Sequence, residues 1–336
     1  MGSVYDGAGF ATNASAELTV LTQFKALSDA MKAAESDLTK KPTATELTTL
    51  FEAGTPSLQA ITTAAFATKI SGWFTAFAAA AGAKATPSNP PVGEGGVFGK
   101  FLFDEKGTDL RQVVEKGLLG AALYRHALTV ASTAKTDADV DRIVAIFGAH
   151  PSFPGDDKAA ANPDMYSALY AERRDPKDAA NPGHYLTFKA AAVAAQAAGK
   201  AGAACQSELA VSVTAMLKEW ELSHVATVVF YLNDASKKLT AEPATEATAS
   251  DGLHAYGEAV GFLHGLRELP AAGRTITDAQ IDEVLTLVGA APGAETSYAL
   301  VTDAAAEVPK LGQAMQKVVA IYGFSPAQVE LYKTNY

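Results

Sequence analysis

The chain is poor in cysteine, in charge and in aromatic side chains, and no long apolar run goes uninterrupted. Cysteine occurs once in 336 residues, at Cys205. A single thiol excludes an intramolecular disulfide and any zinc or redox site built on a CxxC pair, so Cys205 reads as a small buried or half-buried side chain. Charged residues make up 19% and aromatic residues 8%. No dense Lys/Arg stretch stands against a formal net charge of −10, which makes nucleic acid and anionic lipid surfaces poor partners. The most apolar stretch, Ala64 to Gly82, is alanine-rich and carries Lys69, which argues against a transmembrane segment. Met1-Gly2-Ser3 reads as an expression scar with no charged segment and apolar run behind it. A signal or lipoprotein segment is therefore expected to be absent from this chain.

What is abundant is alanine within a 48% hydrophobic composition, enough to bury a sizeable core. Alanine has the best helix propensity and little volume, which favours closely spaced helices over a thick aromatic core. Apolar side chains at spacings of three and four predict helices over 13–36, 43–53 and 55–81, the last led by Thr55-Pro56 as cap and first turn. Residues 82–109, with Pro87, Pro90, Pro91 and several glycines, predict a long irregular connection pinned by Phe98, Phe101 and Phe103. Helices are predicted again over 109–133, 137–147, 183–202, 204–235, 250–268, 277–289, 296–322 and 325–333. No segment shows sustained β alternation, so the fold class is all-α, built as bundles with antiparallel neighbours. The Pro/Asp/Asn/Gly-rich stretch 149–183, with turns at Asn162-Pro163 and Asn181-Pro182, separates an N-terminal helical half (1–148) from a C-terminal half (184–336).

Chemistry concentrates on two sequential predicted helices. His254 and Glu258 lie four residues apart and share one helix face, an imidazole and a carboxylate that suit iron, zinc or manganese, or a hydrogen bond between helices. Glu221 and His224 have the Glu-x-x-His spacing of carboxylate-bridged di-iron bundles; such sites use two copies and two further glutamates, and one copy is present. A buried Glu221 needs a partner, to be sought in His224, His254, an arginine or a metal. The expectation is that Glu221, His224, His254 and Glu258 converge between the two helices, with or without iron or another divalent metal. Gly257, Gly261 and Gly265 recur every four residues on the same helix as His254. Glycine there costs about 1 kcal/mol relative to alanine, so the repeat points to a second helix passing very close, or to a ligand lying on the glycine face. His264 and Arg267 share that helix, with Arg267 able to hold an inward carboxylate. Arg125-His126 falls at a helix flank, and His150 and His184 sit beside Pro and Gly segments where they could line a cleft. No Gly-x-Ser-x-Gly elbow and no His-Glu-x-x-His motif occurs.

Four phrases, GLLGAALYRHAL at 117–128, IFGAHPSFP at 146–154, EWELSHVATVVFYLN at 219–233 and DGLHAYGEAVGFLHGLR at 251–267, occur in an order and spacing that resembles the imelysin-like family, in the branch labelled a domain of unknown function. The resemblance implies two bundle-like helical halves packed together and export to the bacterial periplasm or outer membrane, often as a lipoprotein. It also implies an association with iron uptake and, by the family's first naming, a peptidase activity. The family's metal-associated Gly-x-His-x-x-Glu signature has its nearest match here in Gly252-Leu253-His254 followed by Glu258, one residue longer. Three readings follow. One is an envelope protein that binds iron, another metal or a small metal-containing ligand, alongside outer-membrane uptake proteins. The second is a metal-free interaction or scaffold protein. The third is a peptidase-type hydrolase, which has no motif in its favour.

Overall fold

Helix starts are written in short polar side chains. Thr43 and Glu46 form a capping box, Thr63 Oγ1 accepts from the Phe66 N–H, and Asp109 Oδ1 accepts from the Gln112 N–H at 3.0 Å. Thr277 with Gln280 and Ser325 with Gln328 repeat the box. The computed structural model describes residues 4–87, 95–155 and 163–336. Met1-Gly2-Ser3, Pro90, Pro91 and Asn162 lie outside the described residues.

In chain order come α1 (Phe10–Asn13), α2 (Ser15–Ser36), α3 (Ala44–Glu52), α4 (Ala64–Ala80), α5 (Leu110–Leu118), α6 (Arg125–Ala131) and α7 (Asp137–Phe147). They are followed by α8 (Tyr166–Arg173), α9 (His184–Ala201), α10 (Gln206–Leu239), α11 (Glu246–Arg267), α12 (Asp278–Leu287), α13 (Ala299–Thr302), α14 (Ala304–Tyr322) and α15 (Pro326–Tyr332). A π-helical turn, Leu119–Tyr124, joins α5 to α6, and β1 (Gly96–Phe98) pairs antiparallel with β2 (Phe101–Phe103). Among the described residues the protein is all-α apart from this hairpin.

Three sequence expectations need correction. The helix predicted over 55–81 starts at Ala64 under the Thr63 cap, because Ser57, Leu58 and Ile61 turn inward and the chain before Thr63 wraps the core instead of coiling. The irregular connection contains the hairpin, whose three-residue strands are too short to show alternation; its Phe98 and Phe103 are buried and pin it as expected. The stretch 149–183 holds α8, whose Ser167, Ala168 and Ala171 are fully buried in spite of the polar residues around it.

The long α10 lies between α9 and α11 and against α14, while α11 lies on α5 and the π turn. Buried side chains form one continuous set from Tyr5 to Tyr332. The glycine repeat explains the α11–α5 contact. A methyl group at Gly265 would sit 2.6 Å from the Gly117 carbonyl oxygen, at Gly261 2.6 Å from that of Gln112, and at Gly257 2.9 Å from Asp109 Cβ. From the other side, one at Gly120 would meet the Gly265 carbonyl carbon at 2.6 Å. Backbone therefore rests on backbone, and the wide π turn falls at the Gly120–Gly265 crossing; such bulges often sit where a helix does more than pack. Among the described residues no helix is long and apolar enough to cross a membrane.

Gly265→Ala is expected to lower stability by about 1–3 kcal/mol, since the partner is backbone and cannot move aside. Gly312→Ala, in α14 with nothing within 4 Å of the added carbon, is expected to raise it by about 1 kcal/mol. Urea unfolding of the two variants checks this; equal effects would contradict a tight seam at α11.

Candidate functional site

Every residue of α5 is buried, including Arg111, Glu115 and Lys116, so their charges must be met inside the protein. Arg111 Nε lies 3.0 Å from Glu35 Oε1, and its Nη1 donates to both Glu115 oxygens at 3.1 Å. The Ser28 hydroxyl also donates to Glu115. Lys116 Nζ is 3.2 Å from Glu115 and 3.3 Å from Glu258, with the Tyr170 ring 5.4 Å away. Burial opposes the Glu115 charge, but Lys116 and Arg111 outweigh it and hold the carboxyl at about 2. Burial likewise opposes the Lys116 charge, and Tyr170, Glu115 and Glu258 keep the ammonium well above the ordinary lysine range. Glu35 is pushed up to about 7 by burial and by repulsion from Asp109, against the pull of Arg111.

The four residues expected to converge are placed as follows. His254 and Glu258 share a corner: His254 Nδ1 is 2.7 Å from Asp109 Oδ2, its ring stacks on Phe101 at 3.7 Å, and its Nε2 is 3.8 Å from Glu258 Oε2. Glu221 turns elsewhere, accepting from the Thr275 N–H and the Tyr322 hydroxyl, both at 2.6 Å. None of the partners expected for it is the one it has. His224 is sealed, with Nε2 accepting from Trp220 Nε1 at 3.0 Å and meeting the Ser167 hydroxyl at 2.9 Å. It packs on Phe262, eight residues from His254 along α11, about 12 Å of helix rise. Two of the four thus meet, and Glu221 and His224 have separate partners. Among the described residues no three His, Cys, Asp or Glu side chains come together as metal ligands. At the His254–Glu258 corner the neighbouring cation is Lys116.

The remaining histidines are tied into the scaffold. His126 meets Glu17 at 2.8 Å, and His184 links Glu219 (2.7 Å) to the Tyr332 hydroxyl (2.8 Å). Burial pushes that phenol above its ordinary range, which makes it a poor nucleophile. His150 contacts Ser152 locally at 2.6 Å and borders a cleft near Met165, whereas His184 is buried. Arg267 holds Asp278 and Asp282 at the surface and no inward carboxylate; Cys205 is half-buried. Among the described residues neither the Ser167–His224 nor the Ser152–His150 contact has a carboxylate on the other ring nitrogen, as an acyl-transfer triad requires.

A cavity of about 500 Å³ opens between α4, α11, the 104–108 turn and the 288–298 segment. Its rim is fixed: Lys106 Nζ pairs with Glu295 at 2.9 Å, the Tyr298 N–H donates to the Lys106 carbonyl at 2.8 Å, and Asp104 Oδ1 accepts from the Lys106 and Thr108 N–H groups at 2.9 and 2.8 Å. From α4 come Lys69 and Trp73, four residues apart on one face, with Gly72 and Ala76 beside the indole. From α11 comes His264, 5% exposed, its ring 5.5 Å from Trp73 and its Nδ1 without a hydrogen-bond partner. Burial, then Lys69, push the imidazole down to about 3, so it is neutral near pH 7. The sequence signal for this site was slight. Lys69 reads only as an interruption of an apolar stretch, and His264 as one polar residue on a glycine-bearing helix, because nothing in either segment tells that they face each other.

Comparison with protein-family models, with curated proteins and with solved structures returned no match.

His264 sets an acid dependence. The unfolded chain takes a proton on this ring near pH 6.5, and the folded protein does not until about 3. The unfolded state therefore binds more protons across that window, and stability falls as pH drops through it, by about 1.4 kcal/mol per pH unit for one such histidine. His264→Leu is expected to flatten the decline by that amount in urea unfolding at pH 7, 6 and 5; an unchanged slope would contradict a buried neutral ring.

Proposed function

We propose that this chain is a non-catalytic ligand-binding protein of the bacterial envelope with an imelysin-like fold, whose ligand sits in the cleft between α4, α11 and the 288–298 segment. One observation carries the reading: the buried His264, whose Nδ1 has no hydrogen-bond partner, lines a cavity of about 500 Å³ together with Lys69 and Trp73. A buried polar atom left unpaired costs free energy and calls for a partner, and cavities of this size with apolar walls and a few converging polar groups are where small molecules bind. The ligand is a small molecule and not a bare metal ion. Beside Glu115 and Glu258, where a cation would gain most, the protein's own Lys116 and Arg111 already sit. The imelysin-like fold, the periplasmic or outer-membrane setting and a part in uptake rest on the sequence phrases that resemble that family. Hydrolysis of peptides has no support in the site, since among the described residues the one serine lining the cleft, Ser297, is hydrogen-bonded to Tyr256.

Gly72 lies on the cleft wall and an added carbon there meets nothing within 4 Å, so Gly72→Phe is expected to obstruct the cleft with the backbone of α4 unchanged. Small molecules that raise the melting temperature of the wild-type protein are expected to lose that effect on Gly72→Phe. Equal shifts on both proteins would place the binding site elsewhere.

A further inference from the structure

We infer that the ligand of this cleft is an aromatic carboxylate, its anionic end held by Lys69 and His264 and its ring laid against Trp73. The inference rests on the reading that the cleft is a binding site, and it adds the chemistry of what binds.

Lys69 supplies the charge. It is half-buried on the cleft wall, its Nζ lies 5.7 Å from the Phe66 ring centroid, and it makes no ion pair among the described residues. Burial pulls its pKa down, and the attraction of Glu268 does not make up for the lost water. An entering anion restores what folding removed. The acidic groups on the cleft do not compete for the opposite role. Glu295 is taken by Lys106, Asp104 is taken by two backbone N–H groups, and Glu105 stands exposed at the mouth. Lys69 is thus the one basic side chain of the lining that makes no ion pair among the described residues, since Lys106 is held by Glu295.

His264 supplies direction. It lines the same cavity as Lys69, and its ring lies 5.5 Å from that of Trp73, one helical turn along α4 from Lys69. A neutral imidazole lining the cavity donates to a carboxylate oxygen from one ring nitrogen without bringing a second charge to be desolvated. Trp73 supplies the surface. Its indole is half-exposed on the cavity wall, and the neighbouring lining residues Gly72 and Ala76 are small. A ring placed there gains offset or edge-to-face contact with the indole. An aliphatic acid would use Lys69 and His264 and leave that surface in water.

The chain has two tryptophans, Trp73 and Trp220, and Trp220 is fully buried in the core. Cleft binding is therefore read by Trp73 emission. Titration of the full chain with sodium benzoate is expected to give a saturable change, with benzamide binding about tenfold more weakly, as loss of a charge-assisted contact requires. Benzylammonium is expected to give no change. Lys69→Met should bring benzoate down to the benzamide level while leaving benzamide itself unaltered, which a folding defect would not do. Trp73→Phe should abolish the optical change. Benzamide or benzylammonium binding as well as benzoate, or benzoate binding unaltered by Lys69→Met, would overturn the aromatic-carboxylate assignment while leaving a ligand-binding cleft. No response to any of the three probes would overturn the assignment as well, and the cleft reading would then fall only if the Gly72→Phe comparison also showed no difference.

Discussion

Glycines at 257, 261 and 265 let the backbone of α11 lie on the backbone of α5 and the π turn, at distances no side chain would permit. Each costs about 1 kcal/mol of helix propensity, and the return is a seam that sets the height and rotation of α11 over its neighbour. That rotation puts Glu258 against Lys116, His254 against Asp109, and His264 on the far side of the helix at the cleft wall. A carbon added at any of the three positions would force the helices apart and move all three polar side chains together.

The closeness of the seam also explains why α5 can carry charge while wholly buried. Arg111, Glu115 and Lys116 are out of water, yet each has an opposite charge within about 3 Å, supplied by α2, by α11 or by α5 itself. Replacing such a ladder with apolar groups is often neutral, but leaving one member alone is costly, so its geometry has to be held closely. A close-set pair of helices does that. The ladder ties together parts of the chain far apart in sequence, Glu35 with Arg111 and Lys116 with Glu258, and its role is structural.

Helix positions were largely legible, because apolar spacing and polar caps are local properties: Thr43, Thr277 and Ser325 cap the helices that spacing alone predicts. The glycine repeat also read correctly as a sign of close approach, since no other local reason accounts for three glycines at one spacing inside a helix. What could not be read was partnership. Glu221 and His224 sit three apart on the apolar face of α10 and both are buried, yet one turns to Thr275 and Tyr322 and the other to Ser167 and Trp220. Three residues along a helix leave two side chains about 60° apart around its axis, enough to send them to different neighbouring helices. The cleft was hidden for the same reason: Lys69 and His264 meet only through the tertiary arrangement.

The account stands on His264 being a buried, uncharged ring at the cleft wall, with one ring nitrogen unpaired. Side-chain nitrogen chemical shifts of the six histidines, followed by NMR from about pH 7.5 to 5.5, test this directly. The prediction is that the His264 ring remains neutral at the acid end, where an ordinary histidine with a pKa near 6.5 is mostly protonated. A His264 ring that titrates near 6.5 would contradict the account, because it would place the imidazole in water and leave the cleft without its unpaired group.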